Sequence, residues 1–431
     1  MTTIEDRLRA ATRAAADTVA PGSAPPLRLP DREHDGGPVR RPAPARRWPG
    51  WAAPLAAAAA VTVIFVGVPV VTRLAHLPQN RPGPAGAVTV PLRRAPSVAG
   101  AVPPYAVGLA PGPLAAQSTR AVVRATASGT VLATLTPPRG YSSFTWVSAA
   151  ADGRTFVLAA HGPGPATAPR RARDRTAFFL LRLDPPAGTA RLAPLPVPPQ
   201  PDPPRLGDPI SGIALSPDGS ELAVAMGTQS GASGLKLFDL RSGSVRVWRG
   251  TRRAHVHGYI AADELGANPL SWTADGRTIA VDEWVGNTIN VRLLDTTAAG
   301  SNLWSSRIAA RFADWPSGSV AGSAIITPDG TKIIAMAVAR NATQIRVNEF
   351  SASTGKALGT TVRLRYRRGA ITGWPNVLWS DPSGSTLIVK TTRLGIGPSK
   401  NGGLTARAIG IVSRGRFTPL PGIPAGEMLA W

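Results

Sequence analysis

Two adjacent acids are the first residues in this chain whose types could support catalysis. Asp282 and Glu283 end an apolar run, and a pair of carboxylates can act as general acid and base. An acid-base site would need further acids from the matching segments of the chain, but those positions are mostly Ala, Gly or Thr. Nucleophile-elbow and phosphate-loop motifs are absent, and there is no cysteine. We therefore predict no catalytic residue, no cofactor and no enzyme activity.

A short histidine motif is the only candidate for a metal site. On a strand, His255 and His257 would point to the same side, as two ligands of one ion must. Asp263 is the nearest further acid, but nothing in the spacing brings it to the pair. We assign no metal here and expect the two histidines to lie in an exposed loop.

Arginine and tryptophan are concentrated in a few long segments that lack strand periodicity. The guanidinium group is a planar fork that suits phosphate and carboxylate, and long loops on a rigid scaffold often carry binding sites. We therefore expect a binding face for an acidic protein patch, an anionic cell-surface polymer or a lipid head group. A merely solvated surface is the alternative. The candidate residues are Arg170, Arg171, Arg173, Arg252, Arg253, His255, His257, Arg311, Trp315, Arg367 and Arg368.

The net charge of +23 does not by itself indicate a nucleic-acid partner. The chain has 48 Lys and Arg residues against 25 Asp and Glu. Most of the basic residues are arginines scattered along the chain, as a GC-biased genome tends to encode. We regard nucleic acid as an unlikely partner.

A repeated phrase indicates the elements that must position these residues. Residues 213–225, 270–281 and 324–335 each read as an apolar strand, a turn containing Asp-Gly and a second apolar strand, and residues 144–158 and 377–389 are looser copies. Aspartate and glycine suit a tight hairpin, and two further strands follow most copies. A period of about 50 residues built from four short strands indicates a β-propeller.

The repeats predict six blades, of which the last is divided between the two ends of the domain. Residues 105–110, 120–124 and 130–135 supply three strands, and residues 428–431 supply the missing first strand. Such closure leaves few open sheet edges. Trp146, Trp272 and Trp379 are expected at matching positions in the first strands, packed between blades.

The region 104–431 resembles the TolB-like six-bladed propellers with WD-repeat-like Pro-Asp-Gly motifs. The quoted turns carry this resemblance, for example Pro217 to Gly219 and Pro328 to Gly330. It implies an all-β fold, and it implies a role as a protein-interaction module outside the cell membrane.

A single membrane span is expected at 51–72. Residues 51–71 carry no charge and, as a helix, would extend roughly 30 Å, the thickness of a bilayer core. More arginines precede than follow this segment, so the positive-inside rule places the N-terminus in the cytoplasm and the C-terminal domain outside. A cleaved signal peptide and a buried helix are the alternatives.

The remaining segments complete the predicted organisation. Residues 1–19 have a thin apolar stripe at helical spacing and are expected to form a short cytoplasmic amphipathic helix. Proline- and arginine-rich residues 20–50 are expected to be a disordered linker, and 73–103 an extracytoplasmic linker before the propeller.

This layout is similar to that of membrane-anchored anti-sigma factors, although the Cys-x-x-Cys of their zinc-binding form is absent. We predict a non-catalytic, membrane-anchored module that binds or senses a protein or polymer outside the membrane. The first alternative is a regulator that couples an outer signal to a cytoplasmic protein bound at residues 1–19. The second is a propeller hydrolase or lactonase.

Overall fold

The computed structural model describes most of the C-terminal region of the chain. The predicted cytoplasmic helix, the linker 20–50 and the span 51–72 lie outside the described residues. The described residues are 86–93, 102–110, 118–163, 174–198, 200–201, 210–227, 233–250, 268–285, 288–298, 300, 302–312, 320–338, 344–365, 375–394, 404–424 and 426–431.

The described residues form strands, apart from turns and one short 3₁₀ helix at Leu303–Ser305. In chain order the strands are β1 (Val88–Pro91), β2 (Tyr105–Leu109), β3 (Ala121–Ala125), β4 (Val131–Leu135), β5 (Ser143–Ala149), β6 (Thr155–Pro163), β7 (Asp174–Asp184), β8 (Thr189–Pro194), β9 (Gln200–Pro201), β10 (Ile210–Leu215), β11 (Glu221–Gly227), β12 (Ser233–Asp239), β13 (Val245–Gly250), β14 (Leu270–Trp272), β15 (Thr278–Val285), β16 (Thr288–Asp295), β17 (Arg307–Phe312), β18 (Val320–Ile326), β19 (Lys332–Val338), β20 (Gln344–Ser351), β21 (Ala357–Arg365), β22 (Asn376–Ser380), β23 (Thr386–Leu394), β24 (Leu404–Ser413), β25 (Arg416–Pro419) and β26 (Met428–Ala430).

These strands form six antiparallel sheets, which are the six blades of a β-propeller. Blade 1 contains β5 to β8, and blades 2 to 5 contain β10–β13, β14–β17, β18–β21 and β22–β25, each in sequential order. Blade 6 has the order β26-β2-β3-β4, so a strand from residues 428–430 completes a sheet whose other three strands come from residues 105–135. The prediction of six blades with a divided sixth blade is confirmed.

The turns that join the first two strands of blades 1 to 5 form because their glycines adopt a left-handed backbone. The φ angles are +60° at Gly153, +73° at Gly219, +68° at Gly276, +72° at Gly330 and +76° at Gly384. Only glycine adopts this region without a steric penalty, which explains the repeated glycine in the sequence.

Among the described residues, the hydrophobic core forms six clusters, one at each junction between neighbouring blades. Successive residues of a strand point to opposite faces of its sheet, so a strand buried on both faces needs apolar residues at every position. Ile333 and Ile334 in β19 show this arrangement. Ile333 packs in the cluster shared with blade 3, and Ile334 packs in the cluster shared with blade 5.

The predicted linker 73–103 contributes a strand that the sequence analysis did not anticipate. β1 pairs antiparallel with β8 as a fifth strand at the outer edge of blade 1, with Val88 opposite Leu192 and Pro91 opposite Thr189. Leu92 is buried in the cluster between blades 6 and 1, and the Arg93 amide donates to the Leu132 carbonyl in β4 at 3.0 Å. β1 therefore covers the outside of the junction where the ring closes.

Candidate functional site

The two ends of the propeller are built from different connections. Antiparallel strand order places the turns between first and second strands, and between third and fourth strands, at one end, which we call the turn end. The connections between second and third strands, and between successive blades, leave from the opposite end, which we call the loop end. The long arginine-containing segments belong to the connections that leave from the loop end.

Hydroxyl groups hold the aspartates of the turn end. The Ser216 hydroxyl donates to Asp218 Oδ1 at 2.6 Å, and the Thr273 hydroxyl donates to Asp275 Oδ1 at 2.6 Å. These two hydroxyl groups are the main reason that the pKa of each carboxyl is lowered from its ordinary value. The turn aspartates are therefore structural acceptors held in the charged form.

A central cavity of about 200 Å³ lies between the first strands of all six blades. The described residues of its wall combine tryptophan, aliphatic, serine and asparagine side chains, and none of these side chains is charged. The wall exposes polar and apolar atoms in nearly equal parts, and its described residues offer no side chain that could act as an acid or base. The lining tryptophans are Trp146, Trp272, Trp379 and Trp431.

The indole groups of Trp146 in blade 1 and Trp272 in blade 3 form hydrogen bonds to backbone carbonyls of blade 2. Trp146 Nε1 donates to the Ile210 carbonyl at 2.9 Å, and Trp272 Nε1 donates to the Ala214 carbonyl at 3.2 Å. Both side chains are buried in clusters that span two blades, so packing between blades is confirmed for these two residues.

The expectation that Trp146, Trp272 and Trp379 occupy matching positions is wrong. They pair with the fifth, second and third residues of the following strand, which are Ala159, Ile279 and Ile388. β-Bulges shift the register in β5 and β22 but not in β14. The three tryptophans therefore lie at different heights in their blades, although each is in a first strand.

The adjacent acids of β15 point to opposite faces of blade 3. Asp282 is 2% exposed, and its Oδ2 accepts the Ala324 amide of blade 4 at 3.0 Å. Glu283 is 1% exposed, and its Oε2 lies 2.7 Å from Arg292 Nε. Both acids therefore hold blades and strands together instead of converging on the cavity.

Glu283 also begins a polar row that crosses blade 3 near the loop end. Asn290 Nδ2 donates to Glu283 Oε2 at 3.0 Å, and Arg311 Nε donates to Asn290 Oδ1 at 3.1 Å. Arg292 donates in turn to the carbonyls of Trp304 and Ser306 at 3.0 and 2.8 Å. The row fixes the exposed guanidinium of Arg311 at the rim of the blade.

Of the residues predicted for a binding face, the described part of the chain contains Arg311 alone. The segments that hold the remaining candidates connect β6 to β7, β13 to β14, β17 to β18 and β21 to β22, and all four connections leave from the loop end. The structure therefore brings the strand ends that flank these candidates to the same side of the propeller. The candidates outside the described residues are Arg170, Arg171, Arg173, Arg252, Arg253, His255, His257, Trp315, Arg367 and Arg368.

The sequence analysis missed three further arginines at the loop end. Arg249 lies near the end of β13, and Arg346 and Arg363 lie opposite each other in β20 and β21. The sequence carried no signal for them, because each lies within an alternating strand pattern and not in a run of arginines. Register across the outer strands was the signal that could have found them.

Neither a metal cluster nor a membrane helix occurs in the described residues. Within that part of the chain, no three His, Asp or Glu side chains are close enough to share a metal ion. None of its helices combines the length and the hydropathy required to cross a bilayer.

Comparisons with known proteins find similarity among solved structures alone. No protein-family model matches the chain, and no curated protein matches it. Among solved structures it is similar to TolB from Acinetobacter baumannii, with 16% identity and a TM-score of 0.45, over 76% of this chain and 66% of that one. The chain thus spans slightly less than two thirds of the length of that TolB structure.

Two further solved structures have comparable similarity. A periplasmic gluconolactonase from Pseudomonas aeruginosa has 16% identity and a TM-score of 0.37, over 74% of this chain and 99% of that one. A functionally unknown protein from Desulfotomaculum acetoxidans has 12% identity and a TM-score of 0.40, over 75% and 96%. With identities of 16% or less and TM-scores of 0.45 or less, these three similarities support no conclusion about this chain.

Proposed function

We propose that this protein is a membrane-anchored binding module. In this proposal residues 51–72 span the membrane with the N-terminus in the cytoplasm, and the propeller outside binds an envelope protein or an anionic cell-surface polymer. The main support is that every connection carrying a predicted binding residue leaves from one end of the propeller. Loops gathered on one side of a rigid scaffold are a common arrangement for binding.

The use of the buried acids supports a non-catalytic role. Glu283 is bound to Arg292, and Asp282 accepts an amide of the next blade. The described residues of the cavity wall include no charged side chain to serve as an acid or base. A hydrolase or lactonase would need such groups near its substrate.

A second candidate is a regulator that passes an outer signal to a cytoplasmic protein. The apolar stripe of residues 1–19 favours it, because so short a helix is marginally stable alone and gains stability by docking on a partner. This candidate uses the same propeller and the same anchor, and adds a partner on the other side of the membrane.

Cross-linking in the native membrane tests the binding role. The full-length chain is compared with a variant in which Arg252, Arg253, Arg367 and Arg368 are each changed to Gln. The matched control changes four exposed turn-end arginines to Gln, with the same loss of charge. These are Arg154, Arg241, Arg277 and Arg414.

We expect the loop-end variant to lose a cross-linked envelope protein or polymer that the control retains. Equal capture by both variants would contradict the proposal. Deleting residues 2–20 separates the two candidates, since a cytoplasmic protein lost only on this deletion would establish the regulator.

A further inference from the structure

Exposed arginines occupy the outer strands of three consecutive blades near the loop end. Arg249 lies in β13, Arg311 in β17 and Arg363 in β21, and each is exposed. Arg346 lies directly opposite Arg363 on the neighbouring strand. We call these four residues the arginine arc.

The arginine arc has no bound carboxylate among the described residues. Arg311 donates to the Asn290 amide oxygen and Arg346 to the Gln344 amide oxygen, both at 3.1 Å, and both acceptors are neutral. The ion pairs of the described chain involve other basic residues. Like charges directly opposite on neighbouring strands are destabilising, so the Arg346–Arg363 pair favours an external anion.

The turn end has a different charge balance. At the turn end, exposed arginines are interspersed with aspartates, which lie at the ends of strands and in the turns. Near the loop end, the acids whose side chains the structure describes are buried, namely Asp282, Glu283 and Glu427. An anionic surface is therefore attracted to the loop end more strongly than to the turn end. The turn-end aspartates are Asp152, Asp184, Asp218, Asp239, Asp275, Asp295, Asp329 and Asp381.

The direction of β1 shows at which end the chain enters the propeller. Val88 pairs with Leu192 near the loop end of β8, and Pro91 pairs with Thr189 at its turn end. The chain therefore arrives at the loop end and runs toward the turn end. Only residues 73–85 separate β1 and its two leading residues from the proposed span, and fully extended they reach at most about 45 Å.

We infer that the arginine arc docks on anionic phospholipid headgroups of the membrane in which the chain is anchored. The short connection and its entry at the loop end keep the arc within reach of that surface, and the headgroup phosphates supply the missing anions. This inference rests on the anchor of the proposed function. The inference adds a lipid partner at the loop end, and the cross-linking experiment, which detects an envelope protein or polymer, does not depend on this lipid partner.

Fluorescence in nanodiscs tests the inference with the full-length chain. Because the chain has no cysteine, Ser142→Cys at the loop end and Ser242→Cys at the turn end each give a single labelling site. Energy transfer from each label to a dye in the bilayer is measured in phosphatidylcholine discs and in discs that also contain phosphatidylglycerol. The test variant is Arg249→Gln with Arg363→Gln, and the matched control is Arg241→Gln with Arg277→Gln.

Phosphatidylglycerol is expected to increase transfer from the loop-end label alone, and added salt should reverse the increase. Each arc arginine should contribute about fivefold to the docked-to-undocked ratio, so the test variant should lower this ratio about 25-fold while the control changes it little. Equal transfer in the two kinds of disc, or equal effects of both variants, would overturn the inference.

The remaining outcomes separate this inference from the proposed function. If lipid has no effect but the Arg249→Gln, Arg363→Gln variant loses an envelope partner in the cross-linking experiment, the arc binds that partner and the lipid inference is wrong. A chain that does not insert into nanodiscs would refute the anchor, and the lipid inference with it.

Discussion

Arg124 and Glu427, which are 303 positions apart in the chain, form an ion pair that joins the two parts of blade 6. Arg124 Nη2 lies 2.8 Å from Glu427 Oε1, and their side chains are 11% and 3% exposed. A β-carbon at Gly108 would collide with the Glu427 carboxylate, so the glycine makes room for this pair. The carbonyl of Glu427 also accepts Lys390 Nζ of blade 5 at 3.2 Å. The residue that leads into β26 is thus bound to both blades that it joins.

Arg124→Met is expected to destabilise the propeller by about 3 kcal/mol or more, because it leaves the buried Glu427 carboxylate without its guanidinium partner. The midpoint of urea unfolding, followed by tryptophan fluorescence, measures the effect.

Arg246→Met is the matched control for this change. Arg246 pairs with Glu221, but its side chain is 36% exposed, so the loss should be below about 1 kcal/mol. Equal losses for the two variants would show that the closing pair contributes no more than a surface pair.

The blades were predictable from sequence because their signals are local. Alternating apolar strands and Asp-Gly turns recur within each unit, and even β26 could be recognised from residues 428–431. β1 could not be recognised in this way. It has four residues, includes Pro91 and is largely exposed, and its strand conformation comes from pairing with the distant β8.

The candidate site was less predictable because it depends on register between strands. Glu283 and Arg292 are nine positions apart, and only the pairing of β15 with β16 brings them together. Arg346 and Arg363 become neighbours only through the pairing of β20 with β21. The loop candidates were found from composition, and ten of the eleven lie outside the described residues.

Replacing the buried pair of blade 3 tests whether Glu283 is structural. Glu283→Gln leaves Arg292 buried without a carboxylate and should cost about 3 kcal/mol or more. The double variant Glu283→Leu, Arg292→Met removes both charges and should recover most of that loss, as measured by urea unfolding. A double variant that loses as much stability as Glu283→Gln, or more, would contradict the view that the loss comes from leaving one buried charge unpaired.

The turn carboxylates predict a loss of stability in acid. Their pKa values are lowered in the folded state, as at Asp218 and Asp275, so the unfolded chain binds protons first as the pH falls. Their contribution is complete above the unfolded value near 4 and is lost as the pH falls through the lower folded pKa. The melting temperature measured between neutral pH and about pH 3 should therefore drop most steeply below about pH 4.

Asp218→Asn isolates one of these turns. At neutral pH this substitution should destabilise the protein by about 1 kcal/mol. This is less than hydrogen bonds to a charged group usually contribute, because the turn is exposed to solvent. The difference from the parent should shrink as the pH falls below about 4, because the unfolded parent chain binds the proton of this carboxyl before the folded one does. A difference that is constant with pH would show that the charge of Asp218 is not what the turn uses.

Gly276→Ala separates backbone conformation from packing in the Asp-Gly turns. Gly276 has a φ of +68°, and a β-carbon there would meet no atom within 4 Å, so its substitution adds backbone strain without a collision. We expect a loss of about 1 to 2 kcal/mol in urea unfolding. Gly234→Ala in β12 is the control, because its φ lies outside the left-handed region and its nearest contact would be 3.4 Å from the Trp248 carbonyl oxygen. It should be neutral or slightly stabilising, since alanine restricts the unfolded chain. If both variants behaved alike, the recurrence of glycine in the turns would have to be explained by something other than its left-handed conformation.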